Sequence, residues 1–245
     1  MSGEPWFFAS AEEWSDSSIR LPPDETRHAT KVLRVAPPDV ITVTDGLGSV
    51  ARCAVSTLEG DRLSVEILER DHRRRARPDI VVYQGAAKGA KTDVLTEKLA
   101  ALGVAELSMF RSERTVVNWD DAKLDKHMER WTAIARSAAK QSRNAYLMNV
   151  GGPLSWSGLI AAVNKEPFTI VLWEDAWLPM RAALIGQSDR VAVVVGPEGG
   201  LARSEAEELA DAGGQLCSLG PRILRTEDAP VVATSALLYH YGLIG

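Results

Sequence analysis

Val191-Ala192-Val193-Val194-Val195-Gly196-Pro197-Glu198-Gly199-Gly200 is the stretch on which the fold turns. Five apolar residues in a row, four of them valine, predict a strand buried on both faces, as in the middle of a parallel sheet. Three glycines and a proline halt the strand, and a helix is expected after them. In open α/β sheets, ligands bind at the carboxyl ends of the strands, so this loop is a candidate ligand floor. Its one charged side chain, Glu198, would repel a phosphate. The loop also matches neither G-x-G-x-x-G nor a P-loop. The expected ligand is therefore small, lacks a pyrophosphate and suits a neighbouring carboxylate, as a cation would.

Strand and helix alternate on both sides of this stretch, which predicts a parallel α/β sheet. Strands are expected at Ile80–Gln84, Val104–Phe110, Phe168–Trp173, Arg190–Val195 and Leu216–Leu219. Helices are expected over Lys91–Leu102, from Lys123 to Gln141, and from Ala229 or Pro230 to Tyr241. Ser204 and Glu207 read as a capping box opening another helix, with Gly213-Gly214 as its stop. Before residue 70 the pattern differs. Ile41–Thr44, Val50–Leu58 and Leu63–Leu68 alternate, a short helix is expected around Asp24–Val35, and the whole suggests a small barrel. Asp71–Pro78 is charged and aperiodic and reads as a linker.

At 245 residues the chain suits one large domain or two smaller ones. No apolar run approaches the ~20 residues of a membrane-spanning helix, and the N-terminus lacks the layout of a signal peptide. The two cysteines, Cys53 and Cys217, lie in separate apolar segments without metal-ligand spacing, and the four histidines are scattered. Buried free thiols, no metal and a cytoplasmic location are expected.

The net charge of -5 is unevenly distributed. Residues 1–77 carry 11 basic and 13 acidic groups, residues 78–150 carry 11 and 9, and residues 151–245 carry 6 and 11. Within the first part Arg27, His28, Lys31 and Arg34 cluster, as do Arg73, Arg74, Arg75 and Arg77. Such clusters are either solvated faces or sites for a polyanion.

Three loops should end strands on one edge: Trp173-Glu174-Asp175, Gly196–Gly200 and Gly220–Glu227. The last sets Ile223 and Leu224 between Arg222 and Arg225, apolar residues of the kind that wall a pocket.

Several short motifs are spread in order along most of the chain. They are Arg27-His28 with Val32-Leu33-Arg34; Lys88-Gly89 with Glu97-Lys98 and Leu102-Gly103-Val104; Ser112-Glu113-Arg114; Arg130-Trp131 with Ala138-Ala139 and Gln141-Ser142; Gly196–Gly200; and Leu219-Gly220 with Arg222–Glu227. Together they resemble the RsmE family, SPOUT-class enzymes that methylate N3 of a uridine in 16S ribosomal RNA with S-adenosyl-L-methionine. The chain departs from the family pattern at Ala101, Lys140 and Asp228, the last where a threonine is usual.

The resemblance implies a PUA-like β-barrel over residues 1–72, and a SPOUT methyltransferase domain over 73–245 whose end threads a trefoil knot. It implies a homodimer acting on 16S rRNA of the small ribosomal subunit. By position it places the cofactor against Leu172, Trp173, Gly196, Pro197, Glu198, Gly199, Gly200, Leu219, Gly220, Ile223 and Leu224. The uridine N3 carries a proton at neutral pH, so its methylation needs a base or a cation that stabilises the anion developing on O2 or O4. Arg225 is the candidate cation, with Glu198 or Glu227 as the base. RNA contacts are expected from Arg27, His28, Lys31, Arg34, Lys88, Lys91, Arg136, Lys140 and Arg143. Two rival functions remain: another SPOUT reaction, such as 2′-O-ribose methylation, and a non-catalytic RNA-binding or ribosome-assembly protein. A nicotinamide enzyme is disfavoured, because no dinucleotide fingerprint is present.

Overall fold

Six parallel strands in the order β11-β9-β10-β6-β7-β8 form the larger sheet of the protein, with the valine strand β10 (Arg190–Val195) in its interior. The computed structural model describes residues 4–117, 121–184, 186 and 188–245. The other strands of this sheet are β6 (Asp79–Gly85), β7 (Glu106–Phe110), β8 (Asn149–Leu154), β9 (Thr169–Leu172) and β11 (Gly214–Cys217). Period-two alternation sends Val191, Val193 and Val195 of β10 into one core and Ala192 and Val194 into the other. Both faces of the strand are therefore dry, and an unbroken apolar run is what such a position requires.

Helices α2 (Lys91–Ala101), α3 (Asp121–Gln141) and α7 (Ala229–His240) contribute to the first core, with Leu99, Trp131 and Leu237 at its centre. Helices α4 (Trp156–Val163) and α6 (Arg203–Asp211) cover the opposite face through Leu159 and Leu209. A short helix α5 (Met180–Ala183) packs against β11. Arg130 and Trp131, part of one such motif, grip Asp93 of α2. The guanidinium makes a two-pronged pair with the carboxylate, and the indole N–H donates to Oδ1 at 3.1 Å. Their role here is to join α2 to α3.

The smaller sheet runs β1-β3-β4-β5-β2. Its strands are β1 (Trp6–Phe8), β2 (Ser18–Arg20), β3 (Val40–Thr44), β4 (Ser49–Glu59) and β5 (Arg62–His72), and only the β1–β3 pair is parallel. Among the described residues β1 and β2 do not pair, so the small barrel is open there. Helix α1 (Pro23–Arg27) continues into a wider π turn over His28–Val32.

The chain forms two compact units. One comprises residues up to Arg75 together with Ala139–Leu147, and the other Ala76–Ala138 with Met148–Gly245. A single cut at residue 72 misses the return of 139–147. That return follows from local chemistry: Ala145 packs with Trp6 and Val50, and the Leu147 N–H donates to the Gly46 carbonyl at 3.0 Å.

Elsewhere the structure differs from the sequence expectation in definable ways. The α6 N-cap is Ala202, and Glu205 rather than Glu207 reaches back, accepting the Ala202 N–H at 2.9 Å. The other Glu205 oxygen accepts the Glu113 N–H at 2.7 Å, which explains why this carboxylate is buried. Glu205→Ala strands both donors and is expected to cost roughly 2–3 kcal/mol of unfolding free energy in urea titration. Strand β11 begins at Gly214, two residues before the expected start. A Cβ there would lie 2.7 Å from Val171 Cγ2 and 2.8 Å from the Leu209 carbonyl, so this glycine belongs to the strand packing and not to a helix stop. Strand β8 was hidden by its Gly-Gly-Pro, which reads as a turn. As an edge strand it tolerates the proline.

Candidate active site

Strands β11, β9 and β10 are neighbours, so the three loops that follow them meet. They enclose a cavity of about 760 Å³, within the ~300–1,000 Å³ range of small-molecule sites. From the β9 loop come Leu172, Trp173, Glu174 and Asp175; from the β10 loop, Gly196, Pro197, Glu198, Gly200 and Leu201. The stretch after β11 supplies Ser218 through Glu227, including Leu219, Gly220, Ile223, Leu224 and Arg225.

Of the predicted pocket residues only Gly199 lies off the wall. It faces Arg114, whose guanidinium donates to the Gly199 carbonyl at 3.0 Å, and a Cβ there would sit 3.1 Å from Arg114 Cβ. Cys217, expected as a buried thiol, also lines the cavity, a place that an apolar strand gives no sign of. Burial pushes its thiol up to about 11, so it stays protonated at neutral pH.

The loops are stapled from beneath. The Thr226 hydroxyl donates to the Gly196 carbonyl at 2.7 Å, and Gln84 Nε2 donates to Thr226 Oγ1 at 2.8 Å. Both side chains are buried. Gly196 allows the β10 loop to fold back on itself, since a Cβ there would meet the Gly200 carbonyl carbon at 2.9 Å. The β9 and β11 loops join through the Ser218 N–H, which donates to the Leu178 carbonyl at 2.8 Å.

Three charged groups stand at one side of the cavity. Glu198 Oε1 accepts the Lys88 N–H at 2.9 Å and the Lys91 ammonium at 3.1 Å. Lys91 also lies 4.0 Å from Glu227 Oε2. That oxygen is shielded from solvent and has no hydrogen-bond partner among the described residues. Burial works to raise the Glu198 pKa, but the N–H groups of Lys88 and of Glu198 itself, with the Lys91 ammonium, outweigh it and hold the carboxyl below its ordinary 4.5. A depressed carboxylate adds stability above its unfolded pKa and loses it as pH falls through the folded one. Lys91→Met should therefore raise the Glu198 pKa and move the acid unfolding of the site to higher pH. Carboxyl-carbon NMR titration reads the shift directly, and an unmoved pKa would show that the backbone donors alone set it.

Lys91, expected at an RNA surface, lines the cavity. Lys140 is withdrawn: it pairs with Glu25 at 3.0 Å, the two side chains being 18% and 2% exposed. Arg136 is half-buried, with Nε shielded from solvent. Arg27, Lys31, Arg34, Lys88 and Arg143 are exposed, and His28 is half-buried. Arg225 is exposed at the cavity, and its guanidinium makes no hydrogen bond or ion pair among the described residues. Asp228 lies outside the wall, 3.5 Å from Lys98 of α2. No group of three or more metal-ligating side chains occurs among the described residues, and no described helix is long and apolar enough to cross a membrane.

A family model for an RNA methyltransferase domain matches residues 74–238, and one for an RNA methyltransferase PUA domain matches residues 21–68. The chain thus carries an RNA methyltransferase domain and an added PUA domain. The chain is 36% identical over 218 residues to the ribosomal RNA small subunit methyltransferase E of Mycobacterium bovis, covering 87% of this chain and 83% of that one. It is 32% identical over 229 residues to the Bacillus subtilis protein of the same name, covering 90% of each. The Neisseria gonorrhoeae ribosomal RNA small subunit methyltransferase E, solved bound to S-adenosyl methionine, superposes with a TM-score of 0.86 at 30% identity, over 97% of this chain and 98% of that one. The chain belongs to the ribosomal RNA small subunit methyltransferase E family.

Proposed function

We propose that this protein transfers a methyl group from S-adenosylmethionine to N3 of a uridine in the 16S rRNA of the small ribosomal subunit. The observation that carries it is a cavity lined by apolar loop residues and carboxylates, with Glu227 in its wall. The lining fits the cofactor. Leu172, Leu219, Ile223 and Leu224 suit the faces of a purine, backbone near Gly196 and Gly200 can approach closely, and Glu174, Asp175, Glu198 and Glu227 suit a cation in place of a phosphate.

When bound, S-adenosylmethionine supplies an electrophilic methyl on a positively charged sulfur. The chain's own work concerns the uridine. Glu198 is held by Lys88 and Lys91 and shapes the loop. Glu227, in the cavity wall, is placed to accept the N3 proton, which would leave the N3 electron pair for the methyl group that bound S-adenosylmethionine supplies. Arg225 faces the negative charge that grows on O2 or O4. Arg27, Lys31, Arg34 and Lys88 meet RNA phosphates, and the uridine leaves its stack to expose N3.

The family pattern also supports a threaded C-terminal knot, a homodimer and a cytoplasmic place of work. Ile223 at 87% and Trp177 at 89% exposure are large apolar side chains in water beside or near the cavity, which favours a second copy covering them. Light scattering should then return twice the 26.6 kDa chain mass.

The deciding experiment incubates the protein with labelled cofactor and either assembled small subunits or naked 16S rRNA, then identifies the product nucleoside by mass spectrometry. 3-Methyluridine is expected. A ribose-methylated nucleoside would assign the fold another reaction, and no label with no cofactor binding would assign a non-catalytic RNA-binding role.

A further inference from the structure

Arg73, Arg74 and Arg75, a charge run in the sequence, have no part in the cavity. They follow β5 in the smaller unit, and the backbone there is tightly held. The Arg73 N–H donates to the Gly48 carbonyl at 2.9 Å, and the Arg73 carbonyl accepts the Tyr146 hydroxyl at 2.8 Å. Gly48, at φ +109°, permits this convergence: a Cβ there would lie 2.7 Å from Tyr146 Cζ and 2.9 Å from the Arg73 carbonyl oxygen.

Two of these guanidinium groups lie over aromatic rings. Arg73 Cζ is 5.0 Å from the centre of the Trp6 ring, and Arg75 Cζ is 4.9 Å from that of Tyr146. Arg73 also reaches the backbone carbonyl of Arg143 at 3.5 Å, which sets the backbone of another arginine beside it. Arg143 is exposed at φ +57°. Arg74 is exposed and makes no hydrogen bond or ion pair among the described residues.

This face is distinct from the Arg27–Arg34 cluster. Along β1, Phe7 points into the main core and meets the His28 ring, whereas Trp6 points the other way to Val50 and Ala145. The arginines on Trp6 and Tyr146 also lie outside residues 21–68, the span matched by the PUA model.

A guanidinium laid on a ring has one planar face shielded while its edge N–H groups point outward. Those edges form the fork that grips a phosphate with two parallel bonds. Stacking also removes rotamer freedom before any ligand arrives, which lowers the cost of binding. We propose that Arg73, held in place on Trp6, forms with the neighbouring Arg74 and Arg143 a clamp for the RNA backbone, a second anchoring point for the same rRNA substrate. The proposal rests on the function given above for its occupant. Because the clamp offers charge and no base-specific groups of its own, it contributes affinity and salt dependence and leaves the choice of nucleotide to the cavity.

The test measures binding of 16S rRNA over a salt series for wild type, Arg74→Glu and Arg74→Glu with Arg143→Asn, asparagine being compatible with the left-handed backbone. Each lost phosphate contact should reduce the slope of log K against log salt by about 0.7–0.9, and KM for small subunits should rise. Arg73→Lys keeps the charge but loses the stacked fork, so it should weaken binding with little change in slope. Unchanged cofactor affinity and Tm show that each variant is folded. Unaltered salt slopes and KM in folded variants overturn the clamp. Failure of the wild type to methylate any RNA would overturn the proposed reaction instead, and the binding slopes tell the two failures apart.

Discussion

Glu227→Gln should lower kcat on small-subunit RNA by about 10²–10⁴-fold, the usual worth of a positioned proton acceptor, with cofactor affinity nearly unchanged. Glutamine keeps the size of the side chain and its place in the wall but cannot take the N3 proton. Two features single out this carboxylate. Its Oε2 has no hydrogen-bond partner among the described residues, whereas the Glu198 Oε1 already holds two donors. Lys91 stands 4.0 Å away, beyond direct hydrogen-bonding reach. The readout is single-turnover methyl transfer as a function of pH, beside calorimetric cofactor binding. In the variant the rate should climb with pH, as the uridine loses its proton to solvent without help. A variant that keeps the wild-type rate would remove Glu227 from the chemistry. A variant that loses cofactor binding in parallel would make it a wall residue only.

Gly85→Ala is expected to disable the site from behind. Gly85 ends β6, and its Cα faces the Gly196-Pro197 turn: an added Cβ would lie 2.5 Å from Pro197 Cδ and 2.7 Å from the Gly196 carbonyl carbon, closest of all to the Pro197 nitrogen. These are backbone and ring atoms that cannot swing aside, so the β10 loop must move. Overpacking of this kind costs about 1–3 kcal/mol. Displacing the loop also breaks the register in which Thr226 and Gln84 hold Gly196. Tm should fall, and the cofactor Kd should rise by tenfold or more, tenfold being about 1.4 kcal/mol. Gly60→Ala is the control. That turn has φ +64° and open space around it, so alanine there strains only the local backbone and should leave cofactor binding alone.

The fold was legible wherever burial is two-sided or periodic. The valine strand, the helix over Lys91–Ala101 and the closing helix announce themselves because each side chain's fate is set by its own neighbours in sequence. Strand β8 did not, because Gly151-Gly152-Pro153 carries the local chemistry of a turn. Gly152 is needed there because Met109 of the next strand lies against it, a Cβ meeting the Met109 N at 2.8 Å. The capping of α6 was misplaced by two residues for a similar reason: Glu205 is chosen by the distant Glu113 N–H as much as by its own helix. The return of Ala139–Leu147 to the first unit left no local trace.

For the site, the loop residues were legible and their partners were not. Glycine, proline and paired arginines after predicted strands mark a pocket edge, and nearly all of those residues line one cavity. Roles that depend on a charge partner were read less well. Lys91 and Lys140 look alike in sequence to Lys88, yet one holds Glu198, one is half-buried against Glu25, and of the three Lys88 alone is exposed.

By itself the sequence determined a parallel sheet, a dry central strand, a glycine-rich turn at its carboxyl end and a carboxylate where a phosphate loop would be. Those follow from steric and solvation preferences that act over a few residues. The tertiary structure alone decided that strands β11, β9 and β10 lie side by side, so that their loops close one cavity. It also decided that Glu198 is neutralised by Lys91 while Glu227 Oε2 has no hydrogen bond among the described residues. The physical reason is that electrostatic partnership depends on distance in space, and groups more than a hundred residues apart in the chain are set about three ångströms apart only by the packing of the sheet.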